Sequence, residues 1–322
     1  MRTLSIALAC TALAGCVSEN ELRYTSTLDA DVFGMAMSDD GLRTYAGMSG
    51  TTCTIHTGWG CPTADVDLPT KEEVVHDHWE GMTLGSSVLG VHMLQNEARA
   101  EDQDILVEGV RAAKLTHEGV MWLSGDDAEC ELNYEDGSSV DVPGAACGPD
   151  AQTSVDRAGA ALIIATSEGV LSLGRDGATK IAERSDLVAW DRTTKQVYYA
   201  DVGDTDVSAM TRRGSKSWTE TTGGAIQSLT DMGRRGELLL LVDDGSGFGL
   251  LERRDGETGK LLGRTQIPAA DGTLHTSGNG LTIGVEREGQ VVFYSLEVGD
   301  SDERPIDEDP PNCPDMDRVT MD

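Results

Sequence analysis

The chain has 322 residues, of which 56 are acidic and 25 are basic, and its formal net charge is −31. A chain this acidic repels phosphate backbones and anionic lipid surfaces, which argues against nucleic-acid binding. Apolar residues make up 39% of the sequence, and no segment beyond the first sixteen residues has the length of a membrane span. The acids are spread along the whole chain and indicate a solvated surface, with a basic partner or divalent cations as the alternatives.

The first sixteen residues, MRTLSIALACTALAGC, have a positive start at Arg2 and a short apolar run that predicts a signal peptide. The motif LAGC, which ends at Cys16, resembles the lipobox of bacterial lipoproteins. The resemblance implies removal of residues 1–15 and acylation of Cys16, so that lipid is the only membrane attachment. Under the sorting rule of such lipoproteins, Val17, the residue after the lipidated cysteine, favours the outer membrane of the cell envelope. The alternative is an ordinary signal peptide cleaved near Ala14.

Two pairs of cysteines lie roughly symmetrically about hairpin turns, which fits an oxidising compartment. Cys53 and Cys61 bracket TIHTGWG, and Cys130 and Cys147 bracket a segment with the turn EDGS at 135–138. We predict both pairs as disulfides. Cys313 has no such partner and is either free or paired with another chain.

Short apolar strands recur along the chain, each introduced by a polar turn. The turns fall near residues 41, 86, 119, 159, 195, 236 and 280, at spacings of 45, 33, 40, 36, 41 and 44. Propeller blades repeat at about 40–45 residues. The sequence therefore predicts an all-β protein, a β-propeller of seven blades with four antiparallel strands each, over residues 26–298. Six or eight blades and a pair of eight-strand sandwiches are the alternatives, because residues 74–94 are irregular.

Two segments carry a family resemblance within this pattern. The segment DGETGKLL at 255–262 resembles the turn of PQQ-like and YVTN-type propeller repeats, and SDDG at 38–41 is similar to that of WD40-like repeats. The tryptophan that usually ends the third-strand motif is Gly263 here. The resemblance implies a propeller but no particular subfamily.

Candidate metal ligands are few. His76 and His78 are two imidazoles around Asp77, and two ligands do not make a closed site. Three carboxylates, Asp201, Asp204 and Asp206, lie in one turn and could suit calcium, but position 12 of an EF-hand loop would be Arg212. We therefore predict no metal site and no cofactor, with calcium as the alternative.

No catalytic motif is present: the sequence has no Gly-x-Ser-x-Gly, no His-Glu-x-x-His and no P-loop. Residues 16–25 are predicted as a lipidated linker. Residues 299–322, with nine acids and four prolines, are predicted as an acidic disordered tail. The sequence thus predicts a lipid-anchored envelope propeller, not an enzyme, that binds or scaffolds an envelope protein. The alternatives are a calcium-dependent propeller hydrolase or lyase, and a surface lipoprotein for ligand binding or adhesion.

Overall fold

The structure, a computed structural model, describes the strands and their turns from residue 22 to residue 296. The described residues are 22–28, 32–37, 43–48, 51–56, 61–63, 82–84, 110–116, 119–134, 136–148, 151–155, 161–183, 185–211 and 213–296. Within these ranges no helix is long and apolar enough to cross a membrane. The predicted signal peptide, Cys16 and the acidic tail 299–322 lie outside the described residues.

Strands of the described residues form six antiparallel sheets, which we number in chain order. Sheet I contains β2 (Val32–Met37), β3 (Arg43–Met48), β4 (Thr51–His56) and β5 (Cys61–Thr63). Sheet II contains β6 (Met82–Leu84), β7 (Val110–Thr116), β8 (Gly119–Gly125), β9 (Cys130–Tyr134) and β10 (Ser139–Val142). Sheet III contains β11 (Gln152–Val155), β12 (Leu162–Thr166), β13 (Gly169–Gly174) and β14 (Gly177–Ala182).

The remaining sheets are built in the same way. Sheet IV contains β15 (Leu187–Asp191), β16 (Gln196–Ala200), β17 (Asp206–Thr211) and β18 (Lys216–Thr221). Sheet V contains β19 (Ala225–Asp231), β20 (Glu237–Asp243), β21 (Gly249–Asp255) and β22 (Leu261–Ile267). Sheet VI contains β23 (Thr273–Thr276), β24 (Thr282–Arg287), β25 (Gln290–Leu296) and, beside β25, the first strand β1 (Leu22–Leu28). Two short 3₁₀ helices span Gly144–Cys147 and Gly233–Arg235.

The four strands of each unit are called a to d here. They follow one another in space as in sequence, except that β1 takes the d position of sheet VI. In sheet II this order is β7 to β10, and β6 is an additional short strand beside β7. Residues 64–81 and 85–109, between sheet I and this unit, lie outside the described residues. The all-β prediction is confirmed, while the number of seven blades stays a prediction.

The sheets follow one another around a ring that the first strand closes. The a strands β11, β15, β19 and β23 contact one another in succession, and β23 also contacts β2 of sheet I. β1 becomes the d strand of sheet VI, with Leu22 opposite Leu296. Pairing the two ends of the chain in one sheet removes two free edges, which is how propellers close. Because β1 begins at Leu22, residues 22–25 of the predicted linker belong to this sheet.

Apolar side chains fill the space between neighbouring sheets. Separate buried clusters lie between sheets II and III, III and IV, IV and V, and V and VI. β20 is an example, because its four consecutive leucines, Leu238 to Leu241, have no exposed surface. A strand that is buried on both faces has no polar alternation, since both of its neighbours are sheets. Each such leucine contributes about 2 kcal/mol by burial.

Sheet V also encloses charged side chains, all of which are paired. Glu252 is fully buried and accepts hydrogen bonds from Arg254, Arg264 and the Gly223 backbone N–H, at 2.8–3.3 Å. Glu237 in the same way accepts from Arg253 at 2.9 Å and from Arg235 at 3.0 Å. Burying a carboxylate is costly unless its oxygens are satisfied. The contact with Gly223 ties sheet V to the connection before it.

Candidate protein-binding face

The turns of the blades lie at two ends of the molecule. Antiparallel strands alternate in direction, so the b–c turns and the connections between sheets lie at one end, and the a–b turns lie at the other. Hydrogen bonds across the sheets agree with this: Gly203 in a b–c turn donates to Ile226, where the next sheet begins, at 2.8 Å. At the opposite end, Arg234 in one a–b turn donates to Gly278 in the next at 2.8 Å.

Exposed carboxylates collect at the end with the b–c turns, which we call the b–c face. Every described b–c turn of sheets II to VI carries at least one acid. The exposed acids of these turns and of the adjoining connections are Asp126, Asp127, Glu129, Glu168, Glu183, Asp204, Asp206, Asp244, Asp271 and Glu288. A surface with one sign of charge raises the local concentration of an oppositely charged partner. The b–c face therefore favours a basic partner.

Two large apolar side chains are exposed among these acids. Val202 is 51% exposed and Phe248 is 48% exposed, and they lie in the b–c turns of the neighbouring sheets IV and V. The turn that holds Val202 is bonded to Ile226, which pairs with Val242 directly before the turn that holds Phe248. Isolated exposed apolar residues are common, but two on adjacent turns inside a charged rim have the composition of a protein contact.

Local hydrogen bonds fix the shape of the turn that presents Phe248. Asp243 accepts from the Gly245 N–H at 2.8 Å, and Asp244 accepts from the Ser246 N–H at 2.9 Å. These are side-chain turns typical of aspartate. The Ser246 hydroxyl, followed by its backbone N–H, lowers the pKa of the Asp244 carboxyl. Asp244 consequently keeps its negative charge beside Phe248 in mildly acidic solution.

Basic side chains collect at the opposite end, which we call the a–b face. Its described a–b and c–d turns, including the first residue of β18, expose seven cations: Arg175, Arg192, Lys195, Arg213, Lys216, Arg234 and Lys260. The exposed carboxylates of the same described turns are Asp136, Asp176 and Glu257. The described turns thus carry opposite net charge at the two ends, although the whole chain is strongly acidic.

A buried network holds the a–b turn of sheet IV. Asp191 has no exposed surface and accepts from the backbone N–H of Thr193 at 2.7 Å and from the Tyr198 hydroxyl at 2.9 Å. Burial, and then the nearby Asp191 charge, raise the pKa of Tyr198. Trp218 packs on Tyr198 and donates to the carbonyl of Gly256 in sheet V at 3.0 Å. This network positions the turn that exposes Arg192 and Lys195.

One of the two predicted disulfides is seen directly. Cys130 and Cys147 are bonded, with their Cα atoms 5.8 Å apart. The two cysteines were expected to lie opposite each other across the hairpin. This placement is wrong, because the residue opposite Cys130 is Val142. Cys147 reaches Cys130 from the 3₁₀ helix Gly144–Cys147, which follows the hairpin.

Other predicted site residues are less fully described. Cys53 lies on β4 and Cys61 on the adjacent β5, but their side chains lie outside the described residues and their bond stays a prediction. His76, Asp77 and His78, like Cys313, also lie outside them. Asp206 of the acidic turn accepts from Thr221 at 2.8 Å. In the part of the chain that the structure describes, no group of three or more His, Cys, Asp or Glu could hold a metal ion.

A groove of about 400 Å³ lies between the outer strands of sheets V and VI. Tyr24, Gln266, Arg287 and Tyr294 are among its lining residues, which include no histidine, cysteine or carboxylate. The Arg287 guanidinium is held by the carbonyls of Ala269 and Asp271 at 3.0 and 3.1 Å.

Solved structures similar to this chain are propellers. No protein-family model and no curated protein matches the sequence. The β-propeller domain of Cps50 (Swd1) from Myceliophteria thermophila superposes with a TM-score of 0.55 at 8% identity, covering 85% of this chain and 99% of that domain. A streptogramin B lyase superposes with a TM-score of 0.52 at 10% identity, covering 87% of this chain and 99% of the lyase. At such identities the likeness shows the fold alone, and it confirms the predicted β-propeller.

The b–c face was missed by reasoning on the sequence alone. The acids seemed evenly spread, because b–c and a–b turns alternate along the chain. A signal was present in the turns themselves: DVGDT at 201–205 and DGSGF at 244–248 are acidic, whereas RTTK at 192–195 is basic. Sorting the turns by their order within each blade would have separated the acidic turns from the basic ones.

Proposed function

We propose that this protein is a non-catalytic scaffold of the cell envelope, attached by lipid at Cys16, whose b–c face binds a basic envelope protein. The observation that carries the proposal is the pair of exposed apolar side chains, Val202 and Phe248, inside a rim of carboxylates. Interfaces concentrate binding energy in a few such apolar residues, and the surrounding charges steer the partner and set specificity.

The rigid ring supports this role. The described b–c turns are short, and that of sheet IV is hydrogen-bonded to the first strand of sheet V, so little conformational entropy is lost when a partner orders them. The lipid at Cys16, six residues before β1, would confine the ring to a membrane surface. The lipid supplies the membrane attachment, and the b–c face supplies the protein contact.

Affinity capture from detergent-solubilised envelopes tests the proposal, with Cys16→Ser as the matched variant. We expect a stoichiometric basic partner with the wild-type chain, and its loss when Cys16→Ser removes the protein from the membrane fraction. A Cys16→Ser protein that stays in the membrane fraction contradicts the lipid anchor. A wild-type chain that recovers no partner, but gains thermal stability and activity on lactones or glycans with calcium, contradicts the scaffold and favours the hydrolase or lyase.

A further inference from the structure

The a–b face is a basic surface at the point where the chain leaves the last sheet. β25 runs away from the b–c turn at 288–289, so it ends at the a–b face. Its last residue, Leu296, donates its backbone N–H to Leu281 of the a–b turn in sheet VI at 2.8 Å. Whatever follows Leu296 therefore begins beside the a–b turns.

The segment that follows is strongly acidic. Residues 299–322 contain nine acidic residues and two arginines, a net charge of −7. The described turns of the a–b face expose seven cations against three carboxylates, and six of these cations, against Glu257 alone, lie in sheets IV and V. We propose that the acidic segment 299–322 binds the a–b face of its own propeller.

A series of turn-to-turn contacts leads from the end of β25 to these cations. The a–b turn of sheet VI accepts a hydrogen bond at Gly278 from Arg234 in sheet V. The a–b turn of sheet V in turn accepts at Gly233 from Thr193 in sheet IV, at 3.2 Å. Arg234, Arg192 and Lys195 therefore lie along neighbouring turns, one or two sheets away from the point of exit.

The segment is long enough to reach them. Packed sheets lie about 10 Å apart, and the 26 residues from 297 to 322 would span about 28 Å as a flexible chain. Attachment through the two residues 297–298 gives the segment an effective concentration in the millimolar range. Weak individual ion pairs are then enough to hold the segment on the a–b face, because the association is intramolecular.

Other occupants of the a–b face are less favoured. The lipid proposed at Cys16 would bring a membrane near this end, because Leu22 pairs with Leu296, but an anionic surface is repelled by a chain of net charge −31. The b–c face of a second copy carries the right charge, but it must compete with a segment that is covalently attached. The inference does not depend on a partner at the b–c face, although Leu22, six residues after the proposed lipid site at Cys16, lies opposite Leu296 at the same end as the a–b face.

Zero-length carbodiimide cross-linking of the purified full chain tests this inference, since it joins lysines to carboxylates only at contact distance. Lys195, Lys216 and Lys260 are exposed at the a–b face, and Lys180 is the matched control. Lys180 is exposed but pairs with Glu183 at 2.8 Å and lies against Gly169, next to a b–c turn. Peptide mass spectrometry then identifies the bonded carboxylates.

We expect cross-links within one chain from the acids of 299–322 to Lys195, Lys216 or Lys260, none to Lys180, and loss of the links in 0.5 M NaCl, where screening acts over about 4 Å. Arg192→Glu with Arg234→Glu should reduce the links to Lys195, whereas Lys180→Glu should not. Equal links to Lys180, or links only between chains, overturn the inference. If the double variant fails to fold, the comparison of Lys180 with Lys195, Lys216 and Lys260 in the wild-type protein still tests the inference.

Discussion

Glu252 shows how single charged residues hold neighbouring blades in place. Its two carboxylate oxygens accept from Arg254 and Arg264, and one of them also accepts from Gly223, directly before sheet V begins. A buried carboxylate between two guanidinium groups contributes little over an apolar replacement, but removing it alone leaves buried positive charge uncompensated.

We predict that Glu252→Gln lowers the free energy of unfolding by about 3 kcal/mol. The exposed Glu257→Gln, in the c–d turn of the same sheet, should change it by less than about 0.5 kcal/mol. Urea unfolding followed by circular dichroism measures both. Equal effects of the two substitutions would show that the buried pairs do not stabilise sheet V.

Asp136 illustrates a carboxylate whose protonation is controlled by its own turn. The Ser138 hydroxyl, the Ser138 backbone N–H and Arg175 together lower the pKa of Asp136 from 3.8 to about 2. Arg175 comes from sheet III, where it also lies 4.3 Å from the ring centre of Tyr134. Because the folded-state pKa is lowered, the stabilising effect is present above the ordinary pKa of 3.8 and is lost as the pH falls through about 2.

We expect a carbon-detected NMR titration to give a pKa of about 2 for Asp136 in the wild-type protein. Ser138→Ala should raise this pKa more than Arg175→Gln does, since the serine hydroxyl is the largest cause of the shift. The reverse order would mean that the ion pair between the sheets controls the titration.

At the scale of elements, the disulfide between Cys130 and Cys147 joins the end of one sheet to its own third strand. The bond closes a loop with a sequence separation of 17. Closing a loop of this length restricts the unfolded chain and contributes about 3 kcal/mol.

We therefore predict that the double variant Cys130→Ala/Cys147→Ala loses about 3 kcal/mol of unfolding free energy. Thermal and urea unfolding of the oxidised wild type and the variant measure the difference. Reduction of the wild type should reproduce most of the loss, and unchanged stability in both cases would contradict a constraining role for this bond.

Hairpins were the elements that the sequence predicted best. The sequence VLSLGRDGATKIA predicts strands at 170–173 and 179–182 around a turn at 174–177, and these correspond to β13 and β14, because Asp-Gly turns between apolar runs act locally. The position of Cys147 was predicted less well, since the 3₁₀ helix that carries it depends on contacts with β8 and β12. Local turn chemistry is readable from sequence, whereas packing between sheets is not.

At the scale of the whole molecule, ring closure creates both charged ends. No single turn defines the b–c face, because its residues come from five sheets that are distant in sequence. Val202 and Phe248 are 46 positions apart and become neighbours only because sheets IV and V are adjacent in the ring. The sequence could thus predict the repeat, but the face required the order of strands within every repeat.

Val202 and Phe248 are proposed to form the contact with a partner, and binding by face-specific variants tests this contact most directly. The partner recovered from envelopes would be titrated calorimetrically against wild-type protein, Val202→Ser/Phe248→Ser and Leu262→Ser. Leu262 is 47% exposed on β22, outside the b–c face, and is the matched control. We predict about 30-fold weaker binding for the double variant, equivalent to about 2 kcal/mol, and unchanged binding for Leu262→Ser. Equal affinity for all three proteins would contradict the claim.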